Sequence, residues 1–466
     1  MSSEPLTAER FLADSRVAEA RQLLQAALAD AQRQMQGVRP PQSGQTVKYQ
    51  ELLQEFSELR GGTLFYPYLG SGFGNGVFVE LADGSVKYDM ITGIGVHGFG
   101  HHAPFLLDAA LDAALEGTIQ QGNLQQTTSS LTLSRELVRM ATASGSQLQH
   151  CFLTTSGATA NENALKLLFQ ARAPAGRLLA FENCFAGRTL ATSQITDRAK
   201  NRVGLPTVLP VDYVPFFDAA DPQGSLPRTL DVLRGYLQRY PGAHAGMMME
   251  LIQGEGGYYA APREFLVGLC QALRTAQVPI FFDEIQTFGR TSRAFAFQHF
   301  ELEEFADVVT IGKLLQVCAT LFSDRFVPQP GLISQTFTGS TSSIHAALRI
   351  LQRLETPGFS GPQARQLQIQ QRFAWHFEQL QAKHPGCIAG PWGLGSMVAF
   401  TPLDGSAERT RRVLNALFAA GVLAFSAGGN PTRIRMLPPF GVVTDGQIDA
   451  VCDIIARVLV EQNSTA

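Results

Sequence analysis

Lysine is scarce in this chain: six occur in 466 residues, and arginine supplies most of the positive charge. A primary amine is therefore a pointed choice wherever it falls in an apolar setting. The six cysteines, at positions 151, 184, 270, 318, 387 and 452, form no C-x-x-C pair, and none has a histidine at zinc-ligand spacing. This leaves no sign of a structural zinc site and reads as reduced, mostly buried thiols of a cytoplasmic protein. No apolar run approaches the ~18 residues that a membrane span needs. Met1-Ser-Ser-Glu-Pro-Leu has no basic start followed by an apolar core, so no secretory signal is expected. A net charge of −3 gives no bias toward nucleic acid or an anionic membrane. Internal repeats and low-complexity tracts are missing as well.

What is present is a long, ordinary globular composition, 45% hydrophobic and 17% charged, which is enough for two packed domains. Residues 6 to about 36 space their apolar side chains as an amphipathic helix, closed by Pro40-Pro41 and followed by a polar stretch. That helix reads as a packing or lid element without chemistry. Gly76 to Asp89 reads as a hairpin turned at Asp83-Gly84. Between about 104 and 345 strands and helices alternate, with strands expected at 151–153, 178–181, 246–250, 279–283 and 308–311. Helices are expected between them, over 161–172 and 262–275. This rhythm predicts an α/β fold whose mostly parallel central sheet is covered by helices on both faces. The remainder, with strands near 396–401 and 422–425, predicts a smaller α+β domain. A long helix over 344–381, broken around Pro357 and Pro362, would bridge the two. The expected division is 1–95, 96–345 and 346–466.

Three features carry chemistry. Lys313 ends the run Phe305 to Lys313, which reads as a buried strand delivering an amine at its carboxyl end. Thirty residues earlier Asp283 ends another apolar strand in the same way. An amine and a carboxylate so placed suit a cofactor held as an imine (a Schiff base) at one end and charge-paired at the other, as pyridoxal phosphate is. Gln286, three positions after Asp283, could donate to the ring's phenolic oxygen. The third feature is the small-residue turn from Thr154 that opens into a helix. Its free N–H groups and positive dipole end suit a phosphate, and Gly157 permits close backbone approach. Each feature has a plainer reading: a lysine that snorkels to water, an acid that caps a helix, an ordinary strand–turn–helix.

Five segments in order resemble the class III (ω-amino acid) aminotransferases of pyridoxal-phosphate fold type I. They are Ser156-Gly-Ala-Thr-Ala-Asn-Glu, Phe185-Ala-Gly-Arg-Thr, Glu250-Leu-Ile-Gln-Gly-Glu-Gly-Gly, Asp283-Glu-Ile-Gln-Thr-Phe-Gly-Arg-Thr and Thr310-Ile-Gly-Lys. Gly339-Ser-Thr and Ile434-Arg-Met-Leu-Pro-Pro extend the match, which covers roughly 60–460. Ornithine and acetylornithine aminotransferases are close in pattern, and Gly312-Lys-Leu-Leu-Gln-Val-Cys is similar to a lysine 6-aminotransferase segment. The resemblance implies a large cofactor-binding domain with a smaller α+β domain built from the N- and C-terminal parts. It implies that Lys313 holds the cofactor and later moves a proton, that Asp283 pairs with the ring nitrogen, and that Gln286 contacts the phenolic oxygen. Phe185 and Ile285 would flank the ring, and Ser156, Gly157 and Ala158 would bind phosphate. Thr341 would reach the cofactor phosphate of a partner subunit, making the minimum unit a homodimer. Arg435 would bind a substrate α-carboxylate, Glu255 would pair with Arg435 when an ω-amine enters, and Arg188 would grip the second carboxylate of glutamate or 2-oxoglutarate. The implied activity is ping-pong amino transfer from an ω-amine or diamino acid to 2-oxoglutarate.

The sequence departs from the family pattern in several places. Thr287 runs directly into Phe288-Gly289 without the usual extra glycine, Thr159 stands where an acid is common, and Leu251 where a proline is common. Ser342-Ser-Ile-His replaces the usual Gly-Gly-Asn-Pro, and the N-terminal 60 residues are longer than expected. These mark a divergent branch and leave the donor open, with Phe65, Tyr66 and Tyr68 as candidates for choosing it. Racemase, aminomutase or decarboxylase chemistry on the same cofactor, and a non-catalytic homologue, stay open as alternatives. Gly93-Ile-Gly-Val-His-Gly satisfies G-x-G-x-x-G but lacks a helix start in the right place. His101-His102 lacks a third metal ligand and reads as packing.

Overall fold

The computed structural model describes residues 4–464. Seven strands form the main sheet, in the spatial order His150–Thr154, Cys318–Phe322, Val308–Ile311, Ile280–Glu284, His244–Met249, Arg177–Phe181 and Val211–Val214. Cys318–Phe322 runs antiparallel to both neighbours, and the other pairings are parallel. His244–Met249 and Ile280–Glu284 are buried at every position, as strands covered on both faces must be. Near one end of the chain, Gly70–Asn75, Phe78–Leu81 and Val86–Asp89 join Val422–Leu423 from the other end in one sheet. Ile388–Leu394, Met397–Pro402, Thr432–Met436 and Phe425–Gly428 form a further antiparallel sheet. One small sheet thus joins segments from the first hundred residues to one from the C-terminal part of the chain.

The expected strands of the main sheet all form, and two more join them. Cys318–Phe322 follows Val308–Ile311 too closely for a crossover, so it can only turn back antiparallel. Val211–Val214 lies at the sheet edge, its Asp212 paired with Arg177 at 2.6 Å and with His244 at 2.8 Å. The hairpin turns where expected, with Glu80 opposite Val86 and Gly84 at φ +78°. The helix expected over 344–381 is two, Thr341–Leu354 and Arg365–Lys383.

The N-terminal expectation needs correction. Residues 6–36 are not one helix: Thr7–Leu12 and Ser15–Arg33 are separated at Asp14, whose carboxylate accepts from Arg16 N at 2.9 Å and restarts the helix. Nor does a wide apolar face bury this segment. Leu23 and Leu24 stay exposed, and docking is polar, through Arg21 to Asp112 at 2.6 Å and Gln25 to Asp108 at 2.9 Å. The polar stretch after Pro41 contains a third helix, Thr46–Arg60, ended by Gly61 in left-handed backbone at φ +74°.

His101 pairs with the buried Asp89 at 2.9 Å, and the His102 ring lies 4.7 Å from that of Phe73. Left-handed backbone at Gly93 and Ile94 stands where a dinucleotide site would need a helix start. Among the described residues no helix is long and apolar enough to cross a membrane.

Candidate active site

Parallel register brings the two strand ends together. Asp283 lies opposite Thr310, and the chain then runs through Ile311 and Gly312 to Lys313 at the same edge of the sheet. A Cβ on Gly312 would fall 2.6 Å from Cys318 Sγ, so the strand can pass its antiparallel neighbour only without a side chain. Lys313 itself takes left-handed backbone, φ +45°, at the start of a short 3-10 turn. A non-glycine residue held there stores roughly 1–3 kcal/mol of strain, which elsewhere clusters at functional sites. Lys313, Asp283 and the start of the helix Gly157–Arg172 line one cavity of about 600 Å³, together with Phe185, Arg188, Glu250, Glu255, Ile285 and Gln286.

Electrostatics in this cavity is dominated by burial. Lys313 is pushed down to about 8, first by desolvation and further by the Arg435 charge, against the pull of Glu255. Its amine carries no hydrogen bond within the described chain. Asp283 is raised to about 6 by burial, while Ile285 N–H and Asn161 hold its charged form. Those contacts are short: Ile285 N donates at 2.9 Å and Asn161 Nδ2 at 2.7 Å. Glu250 is raised to about 8, first by burial and then by the Asp283 charge. It accepts from Phe185 N at 2.8 Å and Gly254 N at 3.0 Å, tying two walls of the cavity together.

The helix start is open to an anion. Ser156 caps it: Ser156 Oγ accepts from Thr159 N at 3.2 Å, and Thr159 Oγ1 accepts from Ser156 N. Ser156 is thereby engaged in the cap and lies off the cavity wall, whereas Gly157 and Ala158 line it. Gly157 is required by Ile285, whose Cγ2 would stand 2.9 Å from an added Cβ. Gln286 presents a buried amide oxygen position with no partner, a group that a bound molecule would satisfy. Phe185 and Ile285 stand on the same cavity and could enclose a flat ring.

Farther out, Glu255 Oε1 lies 2.5 Å from Arg435 Nη2, and the guanidinium is fully buried. The approach is poorly directed, so the arginine's nitrogens have no well-aligned hydrogen-bond partner. Burial alone would raise Glu255, but Arg435, Lys313 and Arg198 hold it below the ordinary carboxylate value. Arg433 is distinct from Arg435 in place and contact: it stacks 4.0 Å from the Tyr259 ring and 4.3 Å from that of Trp392. Arg188 is exposed on the cavity wall. Thr341 opens the helix Thr341–Leu354, away from this cavity, and donates to Thr118 O. Phe65 and Tyr66 also lie off the cavity. Tyr68 lines an adjoining one, which shares His97 and Gln316 with it.

Sequence reasoning missed Asn161, Glu250, His97 and Arg198. Asn161 was within reach: one turn after Gly157, it faces the sheet, donates to Ala186 O and Asp283, and accepts from Thr310 Oγ1 at 2.7 Å.

A class-III aminotransferase family model matches residues 72–459. The acetylornithine aminotransferase of Corynebacterium efficiens is 30% identical over 403 residues, covering 84% of this chain and 92% of its own length. That of Methanocaldococcus jannaschii is 27% identical over 401 residues, covering 83% and 92%. Among solved structures, the lysine aminotransferase from M. tuberculosis superposes with a TM-score of 0.78 at 23% identity, over 88% of this chain and 99% of that one. The ornithine aminotransferase from Toxoplasma gondii gives 0.72 at 21%, over 86% and 92%. These likenesses carry the fold.

Proposed function

The chain belongs to the class-III aminotransferases, and from that premise we propose that it is a pyridoxal-phosphate enzyme passing an amino group from an ω-amine or diamino acid to 2-oxoglutarate. The observation that carries this reading is the meeting of Lys313, Asp283 and the free helix start on one cavity. The groups fit the cofactor in kind: an amine on the cavity wall, a buried carboxylate, a capped helix start and an unsatisfied Gln286 amide oxygen.

When bound, the cofactor carries the amino group on its aldehyde carbon and its protonated ring accepts the electrons left as the substrate's α-proton departs. The chain does the rest. Lys313 would hold the cofactor's aldehyde, and its desolvated amine, when free, would serve as a base able to take and return a proton. Asp283, kept ionised by Asn161 and Ile285 N–H, would hold the ring nitrogen's proton by charge pairing. Gly157 and Ala158 N–H would take the phosphate, with the helix dipole behind them. Phe185 and Ile285 would confine the ring and exclude water.

The Glu255–Arg435 pair suits two substrates in turn. With the pair closed, Glu255 masks the buried cation and an ω-amine can enter beside it. With Glu255 swung aside, Arg435 offers a fork to the α-carboxylate of glutamate, and Arg188 offers the other carboxylate its partner. Relatives named acetylornithine aminotransferases support such a donor class. The test is Arg435→Ala: the efficiency of the glutamate half-reaction is expected to fall about 30-fold to several-thousandfold, the cost of losing one partner of a desolvated charge pair, with a much smaller loss for the ω-amine donor. Equal losses for both would sink the assignment of Arg435.

The same reading makes the active unit a cytoplasmic homodimer with shared sites, and divides the chain at 1–95, 96–345 and 346–466. Support for the dimer comes from Ile119, Leu124 and Phe337, which are 70%, 88% and 58% exposed around the start of the Thr341 helix. A partner subunit seated there would cover these apolar side chains. Thr341 would reach the partner's phosphate from there.

A further inference from the structure

The segment Gly254–Gly257 that carries Glu255 is held by two arginines from other parts of the chain. Arg198 Nη2 donates to the Glu255 carbonyl itself, and Arg198 Nη1 donates to Gly428 O at 3.3 Å. Arg433 Nη1 donates to Gly257 O at 2.6 Å. Gly428 ends the strand Phe425–Gly428, which is paired with the Arg435 strand, Phe425 opposite Arg435. One guanidinium therefore spans the backbone of the acid and the far end of the edge strand paired with the Arg435 strand, where Gly428 lies opposite Thr432. The segment has little room of its own: a Cβ on Gly256 would stand 3.1 Å from Asn183 O, and one on Gly254 would stand 2.7 Å from the Gln286 amide carbon. Arg198 is half-buried and forms no ion pair with any described carboxylate, so its fork is committed to these two carbonyls.

We propose that Arg198 is a positioning residue that keeps the Glu255–Arg435 pair closed, and so sets the balance between ω-amine donors and substrates that bring an α-carboxylate to Arg435. This rests on the two-substrate reading of that pair given above. With the Glu255 backbone pinned, only the side chain can swing, and it returns to one place. Without Arg198 the segment can shift, Glu255 leaves Arg435 more readily, and the closed form that receives an amine is less populated. Arginine suits the task because a rigid fork reaches two carbonyls at once, whereas a lysine would serve one.

The experiment uses the holoenzyme and follows each half-reaction separately, with L-ornithine, N-acetyl-L-ornithine and L-lysine as donors and L-glutamate as the carboxylate substrate. In Arg198→Met, kcat/KM for the donor that the native enzyme uses is expected to fall about tenfold relative to glutamate, the scale of one lost hydrogen bond to a charged group. The KM for glutamate stays level or falls. Arg198→Lys restores part of the ratio, and Arg198→Gln repeats the test if the methionine variant melts early. A ratio unchanged within about twofold in each variant, with both half-reactions altered alike, overturns the role of Arg198. A native enzyme that does not react with glutamate at all overturns the reading of Arg435 instead, and the two failures are told apart by that control.

Discussion

Lys313→Ala is expected to lower amino transfer by about 10⁴-fold or more, the upper end of what a positioned proton-transfer group contributes, with covalent attachment of the cofactor lost as well. The variant should fold. Lys313 is half-buried, its amine desolvated on the cavity wall, and a desolvated amine is a cost to the folded state. The cofactor-free variant is therefore expected to melt no lower than the native chain, which separates loss of chemistry from loss of fold. The same burial makes a pH prediction. Lys313 is held at about 8 by desolvation, below its ordinary value. The neutral amine is the form that attacks an aldehyde, and a lowered pKa makes that form available at lower pH. Capture of pyridoxal phosphate by cofactor-free protein should then rise with pH and level off above about 8, where an ordinary lysine would keep gaining to about 10.4. A capture rate that climbs steadily past that point would contradict the desolvated setting.

Asp283→Asn is the second large effect: about a 10²- to 10³-fold loss in kcat, the range measured for removing one preorganised electrostatic partner at a reacting centre. The substitution keeps the shape and an acceptor for Ile285 N but removes the charge that would keep a ring nitrogen protonated. Glu250→Gln is the control. Glu250 lies on the same cavity and is raised to about 8 by burial, so at neutral pH it is mostly uncharged already. Its amide should cost far less. If the two variants were equally impaired, Asp283 would have no special claim on the ring. The comparison is read from steady-state rates with bound cofactor measured in each protein.

The two ends of this chemistry were legible because strand ends are legible. An apolar run followed by one ionisable residue fixes where a parallel sheet delivers that residue, and Asp283 and Lys313 meet on adjacent strands as a result. The helix start at Gly157 was visible in its small residues for the same reason. The Glu255–Arg435 contact followed from the resemblance, and it is present at 2.5 Å. Other parts left no local signal. Arg198 and Glu250 act on backbone groups, and which carbonyl or N–H a side chain meets depends on where distant segments return. The helix Thr46–Arg60 escaped because Val47, Phe56 and Leu59 remain exposed, so its face carries no stripe tied to a core. Val211–Val214 is short, and its buried Asp212 breaks an apolar pattern that ion pairing with Arg177 makes tolerable. The antiparallel Cys318–Phe322 lies so soon after Lys313 that its strand character was absorbed into the motif.

The most direct test of amino transfer through Lys313 is the visible absorbance of the purified protein carrying pyridoxal phosphate. Addition of an ω-amine or diamino acid donor should bleach the band of the lysine-bound cofactor, and removal of donor followed by 2-oxoglutarate should restore it with one glutamate formed per site. A band that never bleaches, or that bleaches while carbon dioxide release or loss of chirality outpaces glutamate formation, would contradict the account.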